Sequence, residues 1–259
     1  LKMEFRVIAI VVIVVAAVFS LFVEKTSGIT FIMGACMSSV VCILGMRSAT
    51  YANVRTSNRA RETLSIGETV KVALGGGSVS CLAVQAFGML GMALILIIWN
   101  GVDPTAVGTG FLANLECNPT IMRITTYSLG CSIVAMVNRV AGGNYTKAAD
   151  ISSDILAKLR HDMPEDDSRV PNVIADFIGD NVNDIAGNCS DLLESFVATI
   201  AAALMIAVTI YKSALSGGTE AVTEATFTAT TVFPIVLAGC GLFGCLLGLG
   251  YATIKKMGC

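Results

Sequence analysis

Charge is scarce in this sequence. Asp, Glu, Lys and Arg make up only 14% of its 259 residues, where soluble domains carry about 25%, so a water-facing globule is excluded. A single histidine, His161, leaves no imidazole set for zinc, whose sites are built from His and Cys. Nine cysteines are present, yet none stands in Cys-x-x-Cys spacing. Cys36, Cys42, Cys81, Cys131, Cys240 and Cys245 lie inside apolar runs, where a thiol behaves as a small core residue. The phosphate-binding pattern Gly-x-x-x-x-Gly-Lys-Ser/Thr is missing, and "GGGSV" at 75–79 sits in an apolar run where glycine permits close helix packing. No basic stripe interleaved with aromatics gives a footing for nucleic acid.

What fills the chain is apolar: 54% of residues are hydrophobic and the mean hydropathy is +0.76. Six stretches approach the roughly 20 residues of a spanning helix. They run from Phe5 to Val23, Ile29 to Met46, Val72 to Trp99, Ile124 to Val140, Leu192 to Tyr211 and Val232 to Ile254. Continuous runs exclude a β-barrel, which needs alternation. The expected fold is therefore all-α: a polytopic membrane bundle of six transmembrane helices. The first run is too long for a signal-peptide core and no Ala-x-Ala-like cleavage site follows it. Because the chain opens on Leu, an upstream part is expected, and the sequence reads as an internal part of a larger bundle.

If the six spans alternate, fourteen of the seventeen Lys and Arg fall on one side; only Lys25, Arg123 and Lys212 face the other. The positive-inside rule then places both ends and the two long loops in the cytoplasm. This divides the chain into residues 1–140 (four transmembrane helices with a cytoplasmic loop at 47–71), 141–191 (a cytoplasmic loop with helix extensions) and 192–259 (the last two helices).

Acid is concentrated where it is least expected. Of nineteen Asp and Glu, eleven lie between Asp150 and Glu194. In "DFIGDNVNDIAGNCSDLLESF", Asp176, Asp180, Asp184, Asp191 and Glu194 lie within roughly 80° of one another at about 100° per residue, so a uniform α-helix gives them one stripe. Asp191 and Glu194 reach into the apolar run, where carboxylates cost about 2.5–3.5 kcal/mol each and by default mark an ion path. Upstream, Lys147, Asp150, Asp154 and Lys158 share one face of a helix expected to begin near Thr146. A second helix is expected after Pro171, with "MPEDDSRVP" as the turn between them.

Carboxylates from two facing helices repel unless something neutralises them. All-oxygen ligation by Asp suits Mg²⁺, and the paired lysines suit a metal-bound phosphate better than a bare cation. The bland alternative is a solvated face with surface ion pairs. Arg139, at the end of the fourth run, either snorkels to the interface or pairs with the acid stripe.

These residues resemble the membrane-bound pyrophosphatases, a family that couples pyrophosphate hydrolysis to pumping of Na⁺ or H⁺. "RVAGGNYTKAADISSDILAK", "PEDDSRVP" and "DFIGDNVND" follow that family's signature without a gap, and the resemblance extends over essentially the whole chain. Phe177, Asn183, Ala141 and Asn144 depart from its pattern. The resemblance implies that Lys147 contacts pyrophosphate with Lys158 nearby. It also implies that Asp150, Asp154, Glu165, Asp176 and Asp180 hold it through Mg²⁺, and that Asp184 orients the attacking water as general base. Arg139, Asp191 and Glu194 match the gate of the ion path, and Glu194 one turn after Asp191 resembles Na⁺-pumping members. Na⁺ and K⁺ are the further ions implied, a homodimer is expected from the family alone, and this stretch by itself is expected to be inactive. The competing readings are a passive cation channel or exchanger with an acid-lined path and a cytoplasmic Mg²⁺ site, and a two-metal membrane phosphotransferase.

Overall fold

The computed structural model describes residues 2–99, 101–102, 118–161, 163, 167, 169–216 and 224–254. All regular structure among them is helical: α1 (Lys2–Phe22), α2 (Lys25–Thr63), α3 (Ile66–Ile98), α4 (Pro119–His161), α5 (Asn172–Asp180), a π-helical stretch (Asn181–Gly187), α6 (Asn188–Ser216) and α7 (Glu224–Ile254). The segment from α5 through α6 is one unbroken helix, so six helices are long and apolar enough to cross a membrane, as the sequence predicts.

The helices outrun their apolar cores. α2 continues past Met46 to Thr63, and α3 starts at Ile66, so the expected 47–71 loop is almost wholly helical. Side-chain bonds at helical spacing carry α2 through this polar stretch: Asn58 donates to Glu62 at 2.9 Å and Arg61 to Asn58 at 3.1 Å. Leu64 ends it in the left-handed region (φ 50°), and Arg59 reaches over the turn to Glu68 at 3.1 Å. α4 likewise runs unbroken through "RVAGGNYTK", so no helix begins at Thr146 and the glycine pair makes no turn. Its start is set by Asn118, whose Oδ1 accepts from the Thr120 N–H at 3.0 Å, ahead of Pro119 in the first helical position.

α2 is the hub and packs on α1, α3, α4 and the π turns. Its buried face, Ser27, Phe31, Gly34, Ser38, Val41 and Gly45, recurs every three to four residues and is mostly small, which brings backbones close without help from hydrophobic exclusion. A Cβ on Gly34 would strike the Tyr127 carbonyl oxygen of α4, and one on Gly130 would strike that of Phe31. Between the same helices Thr30 and Thr126 share a 2.7 Å hydroxyl bond. The core around Tyr127, Met92, Ile95, Leu193 and Val197 joins α3, α4 and α6. Large apolar side chains such as Ile10, Ile13, Ile97, Ile206 and Leu247 point outward instead. A surface of that kind is covered by lipid, and the chain is an integral membrane protein.

The uniform-pitch expectation fails at one place. From Asn181 to Gly187 the bonding changes to i→i+5, which lowers the rotation per residue. Asp184 does not share the stripe of the two lower acids: Asp191 and Glu194 face α4, while Asp184 lines a cavity of 280 Å³ walled by α2, α3, the π turns and α6.

Candidate functional site: two helices in antiparallel register

α4 and the α5–α6 helix run antiparallel, and their contacts keep one register over five turns or more. Ser132 Oγ donates to Glu194 Oε1 at 2.7 Å. Arg139 donates from Nε and Nη2 to the same oxygen of Asp191, at 3.0 and 2.6 Å. Each step up α4 is then matched by a step back along its partner. A Cβ on Gly187 would meet Arg139 Cδ at 3.2 Å, one on Gly142 would meet Asn183 Cα at 3.0 Å, and one on Gly179 would meet Thr146 Cα at 3.0 Å. Asn172 donates to Ser152 Oγ at 2.8 Å at the far end. The chain needs glycine at 142 and 179 because backbone faces backbone there.

This register divides the charged residues into two levels. The lower one lies within the apolar part of the bundle and holds Ser132, Arg139, Asp191 and Glu194. Arg139 and Asp191 are each about two-fifths exposed, so their pair is open to solvent or to neighbouring chain rather than sealed. The upper level holds Lys147, Asp150, Asp154 and Lys158 on α4 opposite α5. Asp176 is buried at the level of Asp150, while Lys147 stands 3.4 Å from Asp150 and Lys158 3.9 Å from Asp154. Asp180 is half-buried one turn further down. In the hairpin between α4 and α5, Arg169 holds both oxygens of Asp167, two residues before it, at 2.9 and 2.6 Å. Those side-chain bonds, with the Arg169 N–H onto Oδ1, hold the Asp167 carboxyl at about 2, below its ordinary 3.8. Glu165 lies outside the described residues.

Asp184 sits between the levels, in the π turns. Asn183 donates to its Oδ1 at 3.1 Å, and Asn188 donates to its carbonyl. Asn183 thus contacts both α4, through Gly142, and the carboxylate that the resemblance singles out. Phe177, the other departure in this motif, is half-exposed on the outside of α5.

Among the described residues no three His, Cys, Asp or Glu side chains converge to hold a metal ion by themselves. Among the described residues the expected carboxylates are not gathered into one cluster: Asp150 and Asp154 stand beside their own lysines. The donors still suit Mg²⁺ in kind. That ion takes one or two carboxylates and completes its shell with water and phosphate oxygens, and Asp150 beside Lys147, level with buried Asp176, offers such oxygens.

Sequence reasoning missed Ser132. A serine inside an apolar run carries no charge signal, and only its position across from Glu194 gives it away.

The profile of the inorganic H⁺ pyrophosphatase family matches residues 1–258. Over 98% of its length the chain is 42% identical to the K⁺-stimulated pyrophosphate-energized sodium pump of Thermotoga maritima, covering 36% of that protein. It is 34% identical to a putative K⁺-stimulated pyrophosphate-energized sodium pump of Clostridium tetani, across 99% of this chain and 33% of the relative. It is 32% identical to K⁺-insensitive pyrophosphate-energized proton pump 2 of Moorella thermoacetica, across 99% and 34%. An α-helical membrane protein with acids at two levels of one helix pair is thus placed in a class, and the chain belongs to the inorganic H⁺ pyrophosphatase family. It spans about a third of the length of these curated relatives.

Proposed function

We propose that this chain carries part of the pyrophosphate site and part of the ion gate of a pump that hydrolyses Mg-pyrophosphate to two phosphates and exports Na⁺. The observation that carries the reading is the single antiparallel register, which stacks Lys147, Asp150 and Asp176 above Arg139, Asp191 and Glu194 on the same two helices. In this reading the upper level and residues 141–191 are cytoplasmic, as the lysine and arginine bias requires.

Lys147 and Lys158 attract the phosphate oxygens and orient them. Asp150, Asp154, Asp176 and Asp180, with Glu165 from the hairpin, supply oxygens to Mg²⁺. When bound, the ion neutralises phosphate charge and lowers the cost of making the leaving phosphate. Asp184 accepts the proton of the attacking water, so that water adds directly to phosphorus as the bridging P–O bond breaks. Below, Glu194 and Asp191 form the cation-binding step, with Arg139 as the countercharge that a cation must displace. The α5–α6 helix links the two, because a shift of its upper part moves the lower carboxylates against α4. Na⁺ rather than H⁺ is favoured by the 42% identity to a sodium pump and by the glutamate one turn after Asp191. The name of that relative makes K⁺ a stimulating ion to be tried.

The test uses the full-length protein in inverted membrane vesicles supplied with Mg²⁺ and pyrophosphate. Phosphate release accompanied by Na⁺ uptake is the expected result. Absence of pyrophosphate-dependent phosphate release would overturn the enzyme reading and leave a passive channel.

A further inference from the structure

A buried relay that the proposed reaction does not use crosses three elements beside the π turns. Asn138 of α4, 2% exposed, donates from Nδ2 to Cys42 Sγ of α2 at 3.3 Å. Cys42, fully buried, lies with Sγ 3.3 Å from the carbonyl oxygen of Ala186 and donates to it. Ser190 gives the same oxygen a second donor at 2.8 Å and also reaches the Gly187 carbonyl at 2.9 Å. These carbonyls stand where bonding returns from i→i+5 to i→i+4. Side-chain donors can satisfy them there without help from the α-helical ladder.

The donor from α2 differs in kind from the one on Ser190. Ser190 moves with its own helix and bonds back one turn in any α-like winding. Cys42 is fixed on another helix, so its bond to Ala186 holds only while Ala186 keeps its angle about the helix axis. Rewinding Asn181–Gly187 as α-helix would rotate one side of the segment against the other and pull that carbonyl away. Asn138 orients the thiol. The next residue, Arg139, lays its aliphatic stem against Gly187 and holds Asp191. Two consecutive residues of α4 therefore grip the end of the π turns and the carboxylate below it.

We propose that Cys42 and Asn138 are positioning residues that lock the π winding of Asn181–Gly187 and so fix the register between Asp184 and the Asp191–Glu194 pair. The consequence for pumping rests on the function proposed above; the lock itself does not. The inference is about coupling: with the lock removed, hydrolysis at Asp184 no longer sets the position of the lower carboxylates.

The experiment compares Cys42→Ala, Cys42→Ser, Asn138→Ala and Cys36→Ala with wild type, all in the full-length protein. Two quantities are read: amide hydrogen exchange of the peptide covering 181–190, and Na⁺ transported per pyrophosphate hydrolysed in inverted vesicles. Cys42→Ala and Asn138→Ala are expected to speed exchange in that peptide about tenfold, leaving the 119–131 end of α4 unchanged. They are expected to lower the transport ratio about threefold or more. Cys42→Ser, which keeps a donor, restores most of both, and Cys36→Ala behaves as wild type because Cys36 is exposed and away from the relay. Should one alanine variant fail to fold, the other and the serine variant carry the comparison. Unchanged exchange at 181–190, or an equal rise in every helix, would overturn the lock. If wild type shows no pyrophosphate-driven transport, the pump reading fails, and the exchange arm still decides the lock.

Discussion

Arg139 places two donors on one oxygen of Asp191, a grip that depends on the planar fork of guanidinium. Lysine offers a point charge on a thinner stem. Arg139→Lys should therefore lower pyrophosphate-driven transport about three- to tenfold, from the roughly 1 kcal/mol of a charge-assisted bond discounted for its exposure; initial rates of Na⁺ uptake measure it. Asp167 offers a pH prediction outside the membrane. Its folded value lies below the ordinary one, so the stability it lends the hairpin is complete above about 3.8 and is lost as pH falls through about 2. Carbon NMR of the labelled carboxyl should show a midpoint near 2, and Arg169→Ala should return it toward 3.8. At this scale the sequence was informative wherever charge entered an apolar run, which is why Arg139, Asp191 and Glu194 were legible. Ser132, Asn138 and Cys42 were not, since small polar groups in such a run look like ordinary helix packing until their partners are known.

Element boundaries were legible from apolar runs only to within the width of the bilayer. A helix stops for reasons of backbone bonding, not hydropathy, so α2 and α4 carry on through polar sequence. Leu64 shows the cost of one such stop: it holds a left-handed backbone that disfavours a Cβ by about 1–2 kcal/mol. Leu64→Gly should raise stability by about 1 kcal/mol in thermal unfolding, offset in part by glycine's entropy. Gly142 lies in the opposite situation. Adding a methyl there presses on the Asn183 backbone, and Gly142→Ala should destabilise the pair by about 1–3 kcal/mol while slowing hydrolysis, because Asp184 follows Asn183. The π turns were the element that pattern reading could not reach. An apolar pattern is read at about 100° per residue and carries no sign of the tertiary donors, Cys42 of α2 among them, that meet the π turns.

Among the described residues, polar ties pin the bundle near both ends, and close backbone packing joins a few buried or part-buried polar bonds in between. Opposite the hairpin, Arg123 joins Glu24 at 2.6 Å, donates to Thr26 at 3.0 Å and lies over the Trp99 ring at 5.1 Å, so one side chain ties the ends of α1, α2, α3 and α4 together. Both partners are nearly nine-tenths buried. Arg123→Ala should cost about 3–5 kcal/mol by leaving a buried carboxylate unpaired, read as a lower unfolding temperature in detergent. Six spans and their helical class were legible in composition, because no soluble fold tolerates such runs; the register that aligns the two charged levels emerges only from the contacts between α4 and the α5–α6 helix. That alignment is the central claim, and Glu194→Gln in the full-length protein tests it most directly. With phosphate release and Na⁺ uptake followed together in inverted vesicles, the account predicts that release persists while uptake per pyrophosphate collapses. Unchanged uptake per pyrophosphate in that variant would contradict it.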